Sequence, residues 1–210
     1  MYVPPYFNEK DPRIAIELMR AHSFASLVTT QDEGLPFVSH LPLVVEEQGQ
    51  ALVLWGHCAK PNPQWRHLQA RPRALVTFQG PHAYLSPSVY PDLARVPSWN
   101  YLAVHCVVEA RLVETPPEKD ELLKRLIGQH EPAYAQQWRD LGEEFQHKLL
   151  AGIVGFELRV VQWQCKIKLN QHRPESHAAL HERYAAGTPD EQALAGWMQR
   201  LGLVESLQGA

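Results

Sequence analysis

Short runs in which apolar and polar residues alternate dominate the first two thirds of the chain. This period of two is typical of β-strands with one buried face. We predict six strands, at residues 24–30, 35–45, 51–57, 73–79, 99–114 and 152–169. In the fifth strand every even position from Leu102 to Leu112 is apolar, which predicts a side that faces the core. Its outer side then carries Tyr101, Ala103 and His105.

Prolines and capping residues mark the predicted helices, which lie at residues 11–22, 61–69, 115–129 and 132–150, with two more in the tail on either side of Gly187. The proline- and serine-rich residues 80–97 predict an ordered loop. Six closely spaced strands, with helices inserted late and no alternation of strand and helix, predict a mainly β protein with peripheral helices. We expect residues 1–173 to form this six-stranded antiparallel barrel domain and residues 174–210 to form a C-terminal helical tail.

Charge and composition narrow the class of protein. The 210 residues carry a formal net charge of −3, so no overall basic field attracts nucleic acid. The densest basic patch, at residues 66–73, is small, and no helix-turn-helix or zinc-finger spacing is present. The sequence therefore does not support direct DNA binding.

Three widely separated cysteines are typical of a reducing compartment rather than of a disulfide framework. No apolar run reaches the length of a membrane span, and the first ten residues lack the pattern of a secretory signal. We therefore expect a cytoplasmic protein that does not associate with a membrane.

The segment from Trp55 to Trp65 carries a candidate phosphate site. A predicted strand ends at Gly56-His57, a predicted helix begins near Pro63, and Lys60 and Asn62 lie between them. A helix N-terminus offers free N–H groups and a positive dipole end, to which Lys60 and His57 would add cationic or donor groups. The alternative is a solvated Lys60 and an Asn62 that serves only the turn.

Two further segments concentrate polar and aromatic residues. Residues 78–87 place Gln79, His82, Tyr84 and Ser86 in one stretch stiffened by proline, as functional loops on rigid scaffolds often are. The outer side of the fifth strand, described above, suits a flat ligand or a partner subunit. For the first segment the alternative is a loop with satisfied polar groups, and for the second a dimer contact without a ligand.

An ordered set of short motifs resembles the PaiB-type FMN-binding negative transcriptional regulators and extends from residue 1 to about residue 173. The motifs are Met1-Tyr2-Val3-Pro4-Pro5, Ser39-His40-Leu41-Pro42-Leu43, Gly56-His57, Asn62-Pro63-Gln64-Trp65, Phe78-Gln79-Gly80-Pro81-His82-Ala83-Tyr84, Trp99-Asn100-Tyr101 with Val104-His105, Gly155-Phe156-Glu157-Leu158 and Lys166-Ile167-Lys168-Leu169. The resemblance implies a six-stranded split β-barrel of the FMN-binding type, a homodimer, and FMN bound between subunits. It also implies a negative regulator, which the charge pattern makes indirect, or a flavin-based sensor.

By analogy with split-barrel proteins, the FMN phosphate is expected near Lys60 and the loop from His57 to Asn62. The residues expected to bind the cofactor are His40, Gly56, His57, Lys60, Asn62, Asn100, Tyr101, His105, Lys166, Lys168 and Gln171. Of these, His40, Asn100 and Tyr101 are expected to serve the ribityl chain or the ring. Lys166, Lys168 and Gln171 are expected to reach in from the partner subunit.

Other chemistries remain open at this stage. A flavin-dependent oxidoreductase of a small molecule is one alternative, with His57, His82 or His105 as acid–base candidates. A haem-binding split-barrel protein is another, with His105 or a tail histidine as axial ligand. His177 and His181 have the i,i+4 spacing of metal ligands, but without a carboxylate pattern we expect no metal site.

Overall fold

The computed structural model describes residues 1–92 and 94–205. Its strands are β1 Asn8–Glu9, β2 Phe24–Thr30, β3 Pro36–Pro42, β4 Val44–Gln48, β5 Ala51–Ala59, β6 Arg73–Leu85, β7 Ser98–Val113 and β8 Ile153–Lys168. Its α-helices are α1 Pro12–Ala21, α2 Gln64–Ala70, α3 Pro116–His130, α4 Tyr134–Asp140, α5 Glu143–Ala151, α6 His177–Ala185 and α7 Pro189–Arg200. No helix within the described ranges is both long enough and apolar enough to cross a membrane.

The strands form one sheet in the order β3-β2-β6-β7-β8-β5-β4, and β1 pairs with β8. The registered pairs of this sheet are antiparallel, which confirms the predicted mainly β class with peripheral helices. The described residues contain eight strands rather than the six predicted. Strand β1 has two residues, too few to show an alternating pattern.

The predicted strand 35–45 is two strands, β3 and β4, separated at Leu43. Pro42 has no N–H to continue a ladder, and the N–H of Leu43 donates to the carbonyl of Ser23 at 2.9 Å. Leu43 itself is fully buried. The chain therefore leaves the β3 ladder in order to bury this side chain.

Strand β6 continues to Leu85, into the segment predicted as a loop. Before Gly80 the even positions are buried, and from Pro81 onward the odd positions are buried. A β-bulge shifts the inward-facing positions by one residue in this way. The prediction was wrong here because Gly80-Pro81 has the composition of a turn.

A similar shift occurs in β7. Leu102, Val104, Cys106 and Val108 are fully buried as predicted, but Leu112 is only half-buried and Val113 is fully buried instead. The strand therefore changes its inward-facing positions after Val108, and the predicted parity fails beyond that point.

The predicted helix 132–150 is two helices, α4 and α5, which a break at Leu141-Gly142 separates. The side chain of Gln146 donates hydrogen bonds to the carbonyls of Trp138 at 2.7 Å and Leu141 at 3.0 Å. These bonds satisfy carbonyl groups that a helix end leaves without partners. A side chain from the next helix thus stabilises a break that the hydrophobic pattern does not reveal.

The contacts divide the chain into two compact units. The first contains Met1–Ala15, Gln79–Val104 and the chain from Gln164 onward. In this first unit, α6 and α7 bury Leu180, Tyr184, Leu194 and Met198.

The second unit contains Ile16–Phe78 and His105–Trp163. Here β5 pairs with β8 in a register that places Gly56 opposite Phe156. Leu43, Leu54 and Phe156 are fully buried in this unit. A second cluster at α3 joins Val113, Leu122 and Leu126 to apolar residues of β4 and β5.

Candidate functional site

In the second unit, Gly56 and His57 lie within strand β5, which continues to Ala59 rather than ending at His57 as predicted, because Cys58 and Ala59 still pair with β8. A Cβ built on Gly56 would lie 2.5 Å from Leu43 Cδ2 and 2.9 Å from Phe156 Cε2. A side chain larger than glycine here would therefore force Leu43 and Phe156 to shift. The Nδ1 atom of His57 is buried and has no hydrogen-bond partner among the described residues. Burial lowers the pKa of His57, which favours the neutral imidazole.

Lys60 and Asn62 follow on the turn that leads to α2. Lys60 is exposed, and its carbonyl accepts a hydrogen bond from the indole of Trp65 at 3.0 Å. Asn62 Oδ1 accepts from the N–H of Gln64 at 2.9 Å, and Asn62 Nδ2 donates to Ser39 Oγ at 3.0 Å. Both polar atoms of the Asn62 side chain are thus bonded within the protein. Helix α2 has seven residues, so its N-terminus offers little dipole for an anion.

The other two predicted residues of the second unit lie on separate strands. His40 is exposed on β3, and its Nδ1 lies 3.0 Å from Ser26 Oγ. His105 is half-buried on β7, and burial lowers its pKa.

The first unit brings two lysines of β8 next to predicted aromatic and polar residues. Lys166 is only 7% exposed; its Nζ donates to the carbonyl of Tyr2 at 3.1 Å and lies 4.9 Å from the centroid of the Tyr101 ring. Lys168 Nζ donates to Ser98 Oγ at 2.7 Å. Burial lowers the pKa of Lys168, and the charge of Lys166 adds to that effect.

Neither lysine forms an ion pair with a carboxylate in the described part of the chain. Buried cations in proteins are normally paired. Two lysines that lie two residues apart on β8, one buried and one half-buried, and that have no acidic partner therefore fit an anionic ligand such as a phosphate, which accepts charge-assisted hydrogen bonds.

Asn100 and Gln171 complete the predicted set in this unit. Asn100 is fully buried; its Nδ2 donates to the Tyr184 hydroxyl at 3.1 Å, and its Oδ1 has no partner among the described residues. Gln171 donates to the carbonyl of Ile167 at 2.6 Å and accepts from the N–H of Leu169 at 2.9 Å. Gln171 thus braces the end of β8, whereas Asn100 retains an acceptor for a donor group.

Three residues next to these groups were missed by the sequence analysis, namely Tyr2, Ser98 and Tyr184. Tyr184 donates to the carbonyl of Tyr84 at 3.2 Å, and burial raises the pKa of Tyr184 to about 12. Its place four residues after Leu180 on an apolar helix face was the available signal. Tyr2 and Ser98 accept hydrogen bonds from Lys166 and Lys168, which are distant in sequence, so no local pattern indicated them.

One of the two histidines considered as metal ligands, His177, is bonded to the backbone. The two ring nitrogens of His177 lie 3.2 Å from the carbonyl oxygen of Leu203 and 3.0 Å from that of Asn170. No cluster of three or more potential ligands is found in residues 1–92 and 94–205.

Comparison with known proteins identifies a family and a relative of this chain. Residues 1–162 match the model of the family described as "Putative FMN-binding domain". The chain is 38% identical over 181 residues to the protein named "Protease synthase and sporulation protein PAI 2" of Bacillus subtilis (strain 168), and the match covers 84% of each chain.

Two solved structures share the fold. The flavocytochrome Anf3 from Azotobacter vinelandii is similar with a TM-score of 0.61 and 16% identity, over 80% of this chain and 72% of that one. The FAD and heme binding protein from Mycobacterium smegmatis is similar with a TM-score of 0.55 and 18% identity, over 77% and 73%. At these identities the likeness concerns the fold alone, and it agrees with the split-barrel prediction. The family match, together with the PAI 2 match, shows that the chain belongs to the FMN-binding domain family of PaiB-type proteins, with FMN as its cofactor.

Proposed function

We propose that this protein is a homodimeric flavin sensor that acts as an indirect negative regulator, with FMN bound between its two subunits. Membership of the FMN-binding family and the likeness to the protein named "Protease synthase and sporulation protein PAI 2" support a regulatory role. The bound flavin would supply a group that accepts and releases electrons. Oxidised and reduced states of the protein would then differ in what they bind.

The proposal rests on two lysines of β8 that form no ion pair with a carboxylate among the described residues. The ammonium groups of Lys166 and Lys168 are held by neutral oxygens of Tyr2 and Ser98, so their charges remain available to an anion. A flavin mononucleotide differs from riboflavin by its phosphate, and this is the group that two cations would select.

The remaining assignments follow the sequence-based set. We propose that Asn100 Oδ1 and His57 Nδ1, both buried without a partner in the described part of the chain, form hydrogen bonds with polar atoms of the flavin. A buried polar atom without a partner costs about 1–3 kcal/mol, so a ligand that supplies one gains affinity. His40, Tyr101 and His105 would contribute to the ribityl chain or the ring. Lys60 would contact the phosphate from solvent.

The dimer is proposed from exposed apolar side chains. Tyr2 and Tyr6 in the first unit are 83% and 68% exposed, and Phe24 and Val38 in the second are 69% and 47% exposed. Large exposed apolar side chains of this kind mark interaction surfaces. Light scattering should give about twice the chain mass of 23.9 kDa. A monomer at micromolar concentration would contradict the dimer and the site between subunits.

The indirect mode of regulation rests on the weakness of the basic patch. The guanidinium of Arg71 is paired with Asp32 at 2.8 Å, and that of Arg66 lies 5.1 Å from the centroid of the Trp65 ring. The patch is short, so it can neutralise few DNA phosphates. Gel-shift assays at physiological salt with oxidised and reduced FMN should show no tight binding, and nanomolar binding in either state would contradict the indirect mode.

We further propose that the protein works in the cytoplasm, where its three buried cysteines remain thiols.

The phosphate assignment is tested by titrating FMN and riboflavin into Lys166→Ala, Lys168→Ala and Lys60→Ala variants. Loss of a charge-assisted contact is worth about 1.5–3 kcal/mol, which is roughly a ten- to hundredfold loss of FMN affinity with riboflavin unchanged. The exposed Lys148→Ala on α5 is the matched control and should bind as the unmodified protein does. Equal weakening of both flavins would show that a lysine acts through folding rather than on the phosphate.

A further inference from the structure

A cleft opens in the first unit, where strands β6 and β7 meet the start of α7. It has a volume of about 490 Å³ and is lined by His82, Ala83, Tyr84, Trp99 and residues 188–191. None of the residues assigned above to FMN lines it. The cleft therefore needs an explanation of its own.

Two of its walls are aromatic and open to solvent. Trp99 is 46% exposed and Tyr84 is 43% exposed, although both are large apolar side chains. Their ring centroids are 6.2 Å apart and their planes meet at 67°, so the two rings form a corner. The ring of His82 lies 5.9 Å from that of Trp99 at 34° and extends the same wall.

A hydrogen bond orients the ring of His82. The indole N–H of Trp99 donates to His82 Nδ1 at 3.3 Å, and an indole nitrogen is only a donor. Nδ1 is therefore the acceptor, and Nε2 is the ring nitrogen next to Asp190.

Two carboxylates make the cleft acidic. Glu191 accepts a hydrogen bond from the N–H of Thr188 at 2.7 Å in a capping box, so its charge is offset by the helix N-terminus. Asp190 is half-exposed, and its Oδ2 accepts only a long 3.4 Å hydrogen bond from the N–H of His82 and lies 3.8 Å from His82 Nε2. Among the described residues Asp190 forms no ion pair with a lysine or arginine, and its negative charge faces the cleft.

We propose that this cleft binds an organic ammonium ion, with the cationic head in the corner between Trp99 and Tyr84 and its charge balanced by Asp190. Aromatic faces attract cations through the ring quadrupole, and quaternary ammonium groups are recognised by cages of such rings. An anion would meet two carboxylates, and a neutral apolar ligand would leave the charge of Asp190 unused. The open side of the cleft leaves room for a chain attached to the head group.

The test compares choline with 3,3-dimethylbutan-1-ol, a neutral molecule of the same shape. Binding to the full-length protein is followed through the indole N–H resonance of Trp99 in nuclear magnetic resonance spectra. Sodium chloride replaces choline chloride in the reference titration, so that ionic strength is matched. We expect saturable shifts with choline and at least tenfold weaker binding of the alcohol.

Two variants test whether the carboxylate of Asp190 attracts the cation. Asp190→Asn should weaken choline at least fivefold and leave the alcohol unchanged, whereas Glu182→Gln, an exposed carboxylate of α6 outside the cleft, should change neither. The comparison of choline with the alcohol on the unmodified protein does not depend on whether a variant folds. Equal binding of the two probes, no saturable shift, or tighter binding of inorganic phosphate would each overturn the proposal.

Discussion

Replacement of Gly56 by alanine tests whether this glycine is needed for core packing or for cofactor binding, at one of the motifs on which the family resemblance rests. Gly56 is buried in β5 opposite Phe156, and an added Cβ would lie 2.5 Å from Leu43 Cδ2 and 2.9 Å from Phe156 Cε2. Real Cβ atoms do not approach other carbon atoms so closely, so both side chains or the strand must move. Overpacking of this kind costs about 1–3 kcal/mol.

For a chain of this size the cost corresponds to a fall in melting temperature of about 2–12 °C, since 1 kcal/mol shifts it by about 2–4 °C. Urea unfolding of the flavin-free protein measures the same loss as a lower midpoint with an unchanged slope. Gly128→Ala is the matched control, because Gly128 lies inside α3 with nothing within 4 Å of an added Cβ. It should be neutral or stabilising by up to about 1 kcal/mol.

The reasoning is refuted if Gly56→Ala leaves the free energy of unfolding in urea within about 0.5 kcal/mol of that of the unmodified protein while FMN binding is lost. That outcome would mean that the glycine admits the cofactor rather than the core side chains.

Two further predictions concern buried titratable groups. Burial raises the pKa of the Cys165 thiol to about 12 and also raises the pKa of the Cys58 thiol. Neither thiol should therefore react with a disulfide reagent at pH 8 until the protein is unfolded. Rapid reaction of the native protein would contradict their burial. Burial lowers the pKa of His57, so below about pH 6.5 the unfolded chain takes up a proton before the folded one and stability falls with falling pH. The flavin-free His57→Gln variant should lose less stability between pH 7.5 and pH 5.5, and an unchanged pH slope would show that this histidine is not responsible.

The sequence predicted the strands that alternate regularly and failed where the backbone departs from regular alternation. Strand β2 has the predicted bounds because every second residue from Ala25 to Thr29 is buried. Strand β6 was cut short at Gln79, and β7 was assigned the wrong inward face after Val108, because each changes its inward positions along its length. Such shifts depend on pairing with neighbouring strands, which the alternation pattern within a single strand does not reveal.

The candidate site was predicted as a set of residues but not as an arrangement. The motif residues at Lys166 and Lys168 were selected through the family resemblance, yet their lack of acidic partners became visible only in the structure. Conversely, Asn62 was predicted to bind the cofactor, but its side chain is hydrogen-bonded to Ser39 and Gln64. A side chain's partners depend on residues distant in sequence, so its availability to a ligand has to be observed.

The central claim is that this protein holds FMN and recognises its phosphate, and flavin titration tests it most directly. The absorbance spectrum of the purified protein first distinguishes flavin, haem and empty protein, after which stripped protein is titrated with FMN, FAD and riboflavin by fluorescence. We predict a flavin spectrum without a haem band, and FMN binding about ten- to hundredfold tighter than riboflavin binding, as expected for a charge-assisted phosphate contact. Equal affinity for FMN and riboflavin, a haem spectrum, or no binding of any of the three flavins would contradict the account.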